Sequence, residues 1–231
     1  MNIIYRISDL GYSKIKPDYI NNENCLRNAS SVFKDANWLV MADSVCDDTL
    51  QMIQKYQRNI KQVNLKSNAE SFNAALDEAL KILQDDEIVY FCENDYIHRE
   101  GSLMAATDAI ALGADYFTLF DHPDKYISPE NGGNPYCHGG AENTRLYRGN
   151  ICHWKITNST TMTFGSKVST LKKDEEIIRK WTSGSHPHDF QMFLELGENK
   201  RTVISPIPSF STHGETAWLS PFIDWEKVAQ L

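Results

Sequence analysis

The chain has 231 residues, a length that suits one α/β domain, and its 41% hydrophobic, 11% aromatic and 23% charged residues exclude a disordered tail, a collagen-like repeat and a coiled-coil rod. Its 23 basic against 31 acidic residues leave a formal net charge of −8, which excludes a protein gripping nucleic acid through a broad basic surface, although a local basic cleft remains compatible. No apolar run approaches the ~20 residues of a membrane span, the first residues read as a strand rather than an export leader, and five cysteines without a Cys-x-x-Cys pair argue against a disulfide framework, so a soluble cytoplasmic chain is expected.

Over the first ninety-odd residues short apolar runs alternate with amphipathic stretches, the pattern of βαβ units around a mostly parallel sheet. Strands are expected at residues 2–7, 38–41, 61–65 and 87–92, and each ends in polar residues. Helices are expected at 23–33, 47–56 and 70–83. The third is the clearest, because Phe72, Ala75, Leu76, Ala79, Leu80 and Leu83 recur at helical steps and make one apolar stripe. The second half is less regular. A helix over 101–112 and a strand over 115–119 precede a loop-like stretch at 121–149, which holds three prolines and five glycines. A strand at 160–164 and helices at 171–181 and 188–196 follow. No repeat, low-complexity segment or linker divides the chain, so one domain is expected.

Open parallel α/β sheets bind ligands beyond the carboxyl ends of their strands, which makes the polar strand endings candidate site residues. The sharpest is the run Ile88-Val89-Tyr90-Phe91-Cys92-Glu93-Asn94-Asp95, an apolar strand that leads directly into two carboxylates. In extended chain Glu93 and Asp95 project to the same side. Two carboxylates aimed at one point repel unless a cation or proton lies between them, and a hard divalent ion such as Mg²⁺ or Mn²⁺ suits that place.

A first strand ending at a polar turn, a second ending in Asp43, an Asn-rich segment opening the third helix and a strand ending in Glu93-Asn94-Asp95 together resemble a GT-A-fold glycosyltransferase of the family-two-like type. The likeness is strongest over residues 2–102. It is looser over 158–164 and 211–215, where it is nearer to small virus- and bacterium-encoded members. The resemblance implies a GT-A-like, Rossmann-like, mostly parallel central sheet flanked by helices. It implies a donor half over about 1–100 and an acceptor half over about 101–231. It implies transfer of a sugar from a nucleoside-diphosphate sugar, foremost a UDP-sugar, to a hydroxyl of a glycan or other acceptor, with a divalent metal on the acid-x-acid motif.

Carried over by position, Arg6 and Ser8 would line the nucleotide pocket, Asp43 would approach the base or ribose, and Asn68, Asn73 and Asn94 would shape the donor site. Glu93 and Asp95 would hold the metal. His213 would match the late histidine that many members supply as a further ligand, and an imidazole beside carboxylates suits Mn²⁺. Asp189 would match the base that deprotonates the acceptor hydroxyl in inverting members, a role a carboxylate within hydrogen-bond reach can fill. His188 stands where that family commonly has a glutamate. Of the tryptophans in the second half, Trp154 and Trp218 have polar neighbours that suit a sugar site, while core packing is the plainer reading of each. Arg145, Arg148 and Lys155 read best as a solvated charged loop. Two other classes stay open: a nucleotidyltransferase, against which stands the lack of a Gly-rich phosphate loop after the first strand, and a non-catalytic carbohydrate-binding module.

Overall fold

The computed structural model describes residues 1–11 and 14–230. Its first part alternates as the hydrophobic pattern requires: β1 (Asn2–Ser8), α1 (Asn22–Val32), β2 (Asn37–Asp43), α2 (Asp47–Tyr56), β3 (Ile60–Val63), α3 (Asn68–Ile82) and β4 (Ile88–Glu93), each within two residues of its expected bounds. The chain continues through β5 (Tyr96–His98), α4 (Ser102–Ala111), β6 (Tyr116–Phe117), β7 (Leu146–Arg148), β8 (His153–Ile156), β9 (Phe164–Lys167), α5 (Val168–Trp181), α6 (Asp189–Glu198), β10 (Val203–Ile207), β11 (Ser211–His213) and α7 (Trp225–Val228).

Among the described residues nine strands form one sheet in the order β3-β2-β1-β4-β9-β6-β10-β8-β7. The block β3-β2-β1-β4 is parallel, with Ser8 opposite Asp43 and Arg6 opposite Glu93, so three strand ends share one edge. In the whole sheet only β9 and β8 run against the other strands, which makes it mixed but mostly parallel. A separate ribbon pairs β5 with β11 and sets Tyr96 opposite His213. The polypeptide between β4 and β5 is thereby held against the C-terminal part of the chain.

Helices cover both faces. Ile3, Tyr5 and Ile7 of β1 point to one side, where they pack with Leu26, Phe33 and Ala105, while Ile4 points to the other with Phe72, Leu76, Phe164 and Phe193. A central strand buried on both faces needs apolar residues at every position, which explains the unbroken run at the start of the chain. The stripe of α3 lies as its period requires, with Phe72, Ala75, Leu76 and Ala79 buried in the second cluster. The centre of the sheet is closed by Gly165 of β9, which stands in register with Tyr90 on one side and Phe117 on the other. Those two rings stack at 6.0 Å and 6° across it, and a Cβ at this position would come within 2.2 Å of the Phe117 ring.

The second half departs from the expected elements in physically readable ways. The strand expected over 160–164 begins only at Phe164, because the hydroxyls before it are spent elsewhere: Thr163 accepts from the Glu93 amide (3.1 Å) and Thr161 bonds the Tyr96 hydroxyl (2.6 Å). The strand expected over 115–119 is reduced to Tyr116–Phe117. Lys155, expected in a solvated loop, is 2% exposed within β8. Its Nζ lies 3.0 Å from Asp121, 3.3 Å from Glu142 and 4.4 Å above the Tyr126 ring, so it pins the stretch 121–142 to the sheet. Trp154 is a core residue whose Nε1 donates to Asp108 (3.0 Å), which removes it from any sugar site. Trp218 is half-buried beside His122, with ring centroids 5.2 Å apart. Among the described residues no helix is long and apolar enough to cross a membrane.

Candidate functional site

A cavity of about 620 Å³ opens where β1, β2 and β4 end together, the place an open α/β sheet reserves for a ligand. Parallel register brings the strand-end side chains to it, the first turns of α3 and α6 add helix N-termini, and β11 closes it from the C-terminal part of the chain. Of the residues expected from sequence, Arg6, Ser8, Asp43, Asn68, Glu93, Asn94, Asp95, Asp189 and His213 all line it. Asn73 does not. Its amide donates to the Thr182 carbonyl (2.9 Å) and accepts from the Thr182 hydroxyl (2.8 Å), so it ties α3 to the end of α5.

Arg6 is buried and held through its terminal nitrogens, while its buried Nε finds no partner among the described residues. It donates to the Asn68 side chain (2.7 Å) and carbonyl (3.1 Å) and to Glu93 Oε1 (3.0 Å), with Phe72 beneath its guanidinium at 5.5 Å. Asp43 is 2% exposed and its Oδ1 accepts from the Ser44 hydroxyl (2.9 Å) and the Leu65 amide (2.8 Å), which locks the end of β2 to the chain after β3. Ser44 at φ 55° and Lys66 at φ 59° hold left-handed backbone on either side of it, and such strain in non-glycine residues gathers at functional sites. Asn94 donates to the Ser8 carbonyl (3.3 Å) and to Asn22 Oδ1 (2.6 Å), and so braces the cavity wall that it lines.

Asp95 and His213 meet across the β5–β11 ribbon with Oδ2 and Nε2 3.2 Å apart, and the His213 ring packs on Tyr96 at 5.2 Å. Lys16 donates to the same Asp95 oxygen (2.9 Å), while Lys14 Nζ lies 3.4 Å from His213 Nε2 and 3.5 Å from Glu215. Burial by itself raises the Asp95 carboxyl, but His213 and Lys16 outweigh it and hold the group well below the usual carboxylate range. The acid on α6 behaves in the opposite way. Burial pushes the Asp189 carboxyl up to about 6 and the charge on Glu93 adds to the rise, against the Phe190 amide that donates to it (2.7 Å) and the more distant Lys14 and His213. One cavity therefore holds an acid that stays ionised and another poised to exchange a proton near neutrality, a pairing that marks functional sites.

The metal implied by the acid-x-acid motif requires Glu93, Asp95 and His213 to converge. Asp95 and His213 do meet, but Glu93 is turned to Arg6 and to the Thr163 hydroxyl (3.3 Å). Among the described residues no three His, Cys, Asp or Glu side chains gather round one point. The donor set in this arrangement does not fit a three-ligand metal centre, and the charges that answer these acids come from Arg6 and Lys16.

Sequence reading missed Lys14, Lys16, Lys66, Ser71 and the turn Ser185-His186-Pro187 as cavity-lining residues. The lysines carry the one signal that was available, a Lys-x-Lys pair after Gly11 on the turn that follows the first strand, where a phosphate-binding loop would lie.

No family model and no curated protein matches the sequence. Solved structures do match its fold. A CMP:2-keto-3-deoxy-manno-octonic acid synthetase complexed with CTP superposes with a TM-score of 0.50 over 88% of this chain and 87% of that one, at 11% identity. A 4-diphosphocytidyl-2C-methyl-D-erythritol synthase from Anaerococcus prevotii matches at 0.48 with 16% identity, covering 98% of this chain and 92% of that one. A197 from STIV matches at 0.47 with 15% identity, covering 97% and 87%. At such identities the likeness is one of fold. This chain is a single α/β domain whose large, mostly parallel mixed sheet is flanked by helices, a fold similar to that of the synthetase complexed with CTP.

Proposed function

We propose that the chain is a glycosyltransferase that moves a sugar from a nucleoside-diphosphate sugar to an acceptor hydroxyl. The observation that carries this reading is Asp189, a carboxyl with its pKa lifted to about 6, on the wall of the same cavity as Arg6, Asp43 and Asp95. A hydroxyl nucleophile needs a base at the moment of attack, and a base tuned close to the working pH serves best. Nucleotidyl transfer to a phosphate, which is already ionised, needs none. The raised carboxyl has a task wherever the acceptor is a hydroxyl, as it is in glycosyl transfer.

In this reading residues of about 1–100 hold the donor. Asp43 meets the nucleoside at the end of β2, and Arg6 stands beneath the diphosphate with the N-terminal turn of α3, whose dipole favours an anion. Residues from about 101 onward supply the acceptor side. As the acceptor oxygen forms its bond to the anomeric carbon, its proton passes to Asp189, and the bond to the diphosphate breaks with the electron pair leaving on the nucleoside diphosphate. Direct displacement of this kind inverts the anomeric configuration.

A second reading, nucleotidyl transfer from a nucleoside triphosphate, is favoured by one specific observation: Lys14 and Lys16 enter the cavity from the turn after β1. CTP is the nucleotide held by the synthetase whose fold this chain shares. One experiment separates the two. The protein is incubated with UDP-, GDP- and CMP-sugars and, separately, with nucleoside triphosphates and sugar acceptors, with Mn²⁺ present and absent. Release of a nucleoside phosphate from a nucleotide-sugar, lost in Asp189→Asn, is the expected result. Release of pyrophosphate from a triphosphate establishes the second reading instead, and neither release refutes both.

A further inference from the structure

The acids of the Glu93-Asn94-Asp95 motif are not bare. Arg6 covers Glu93 at 3.0 Å and Lys16 covers Asp95 at 2.9 Å, and Lys14 stands 3.4 Å from His213, the third expected metal ligand. Lys16 and His213 both engage Asp95 Oδ2, so a divalent ion bridging Asp95 Oδ2 to His213 would have to displace the ammonium group. Lys14 and Lys16 are 32% and 29% exposed, part-desolvated in the cavity mouth rather than free in solvent. Each ammonium has three donors, and Lys16 spends one of them on Asp95, so the remaining two are open to oxygens of a ligand. Arg6 is more constrained, because its Nη1 donates twice to Asn68 and its Nη2 donates to Glu93, while its buried Nε finds no partner among the described residues. The first turns of α3 and α6 reach the same cavity and their dipoles add a positive field.

We propose that Lys16, assisted by Lys14, is the built-in counter-charge for the diphosphate of the ligand, and that this cavity binds a nucleoside diphosphate without a divalent cation. The inference rests on the reading of the cavity as a nucleoside-diphosphate site. Asp95 then serves as a positioning residue: it fixes the Lys16 ammonium at the strand end, and His213 steadies Asp95 from β11. As the glycosyl bond breaks, the charge that develops on the leaving diphosphate is met by N–H donors that are already in place, which is the form of stabilisation that costs least reorganisation.

The test is calorimetric titration of the full chain with UDP, CDP, GDP and ADP, in EDTA and in Mn²⁺. The variants are Lys16→Met and Lys16→Arg, each confirmed as folded by its melting curve. Wild type binds one of the four in EDTA with an affinity within about threefold of that in Mn²⁺, and Lys16→Met weakens binding in EDTA about 10- to 100-fold, the worth of a charge-assisted hydrogen bond. Lys16→Arg recovers most of the loss, as a purely structural role for the side chain would not require. Binding that appears only with Mn²⁺, or that Lys16→Met leaves unchanged in EDTA, overturns the inference while the nucleotide-site reading stands. No binding of any nucleotide in either buffer overturns that reading and this inference with it.

Discussion

Replacing the raised carboxyl on α6 separates function from stability in one substitution. Asp189 has its pKa lifted from the usual 3.8 to about 6, chiefly because the folded chain removes it from water. The native state therefore binds the proton more tightly than the unfolded state does. Below about pH 3 both states are protonated and folding costs nothing extra; through the window between the two pKa values the unfolded chain ionises first and stability falls; above about 7 both are ionised and the whole cost is present. A shift of this size corresponds to about 3 kcal/mol at 1.36 kcal/mol per pH unit, and part of it is lost to solvent screening because the side chain is not fully enclosed. Asp189→Asn keeps an oxygen for the Phe190 amide and carries no charge. It is expected to stabilise the protein by about 1–3 kcal/mol at pH 7.5. With an unfolding entropy of about 2.1 cal/mol/K per residue over 231 residues, that raises Tm by about 2–6 °C. At pH 4, next to the unfolded pKa, the gain shrinks to about a fifth of that value. Turnover at pH 7.5 should fall about 10²- to 10⁴-fold, the usual worth of a general base. The assay is a paired set of melting curves at pH 4 and 7.5. A variant that melts with wild type at both pH values, or gains equally at both, refutes the reasoning.

The same carboxyl sets the pH profile: log kcat of wild type should climb with pH through about 6 and level off above it, and a flat profile between pH 5 and 7 would remove Asp189 from the proton transfer. Lys155→Ala leaves Asp121 and Glu142 buried without their cation and is expected to cost about 3 kcal/mol or more, a fall of about 6 °C in Tm, whereas an unchanged Tm would show that the pair is solvated. Gly165→Ala forces a methyl group toward the Phe117 ring and should destabilise by about 1–3 kcal/mol, read as a shift in the denaturant midpoint; a neutral result would mean that the Tyr90–Phe117 stack can slide apart. Asn73→Ala should lower Tm through the lost contacts to Thr182 while leaving nucleotide affinity unchanged, and a weakened affinity would return Asn73 to the donor site.

The parallel block was legible because its determinants are local. A strand covered on both faces must be apolar throughout, and α3 must place Phe72, Ala75, Leu76 and Ala79 on one stripe. Strand ends in such a sheet share an edge, so Arg6, Asp43 and Glu93 could be placed together from pattern alone. Asn68 and Asn73 looked alike in sequence, yet five residues turn the helix by about 140°, and only packing against α5 decides which of them faces the cavity. Lys155 was misread because its partners lie 34 and 13 positions away, in a stretch with no period to reveal it. Thr161 and Thr163 looked like strand residues, since β-branched side chains favour strands, but their hydroxyls hold Tyr96 and Glu93 instead. The cations at the site, Lys14 and Lys16, sit in a turn without periodicity, and the acids they answer were visible where they were not.

The most direct measurement is the melting temperature of the full chain against a panel of nucleoside diphosphates and nucleotide-sugars, each with and without Mn²⁺. A ligand at one hundred times its dissociation constant stabilises the native state by about 2.7 kcal/mol, which is about 5 °C for a chain of 231 residues. A rise of that order with the nucleotides of one base, and with none of the others, is the expected result. No rise with any of them, in protein whose unfolding is cooperative, would contradict the assignment of the cavity at the ends of β1, β2 and β4 as a nucleotide site.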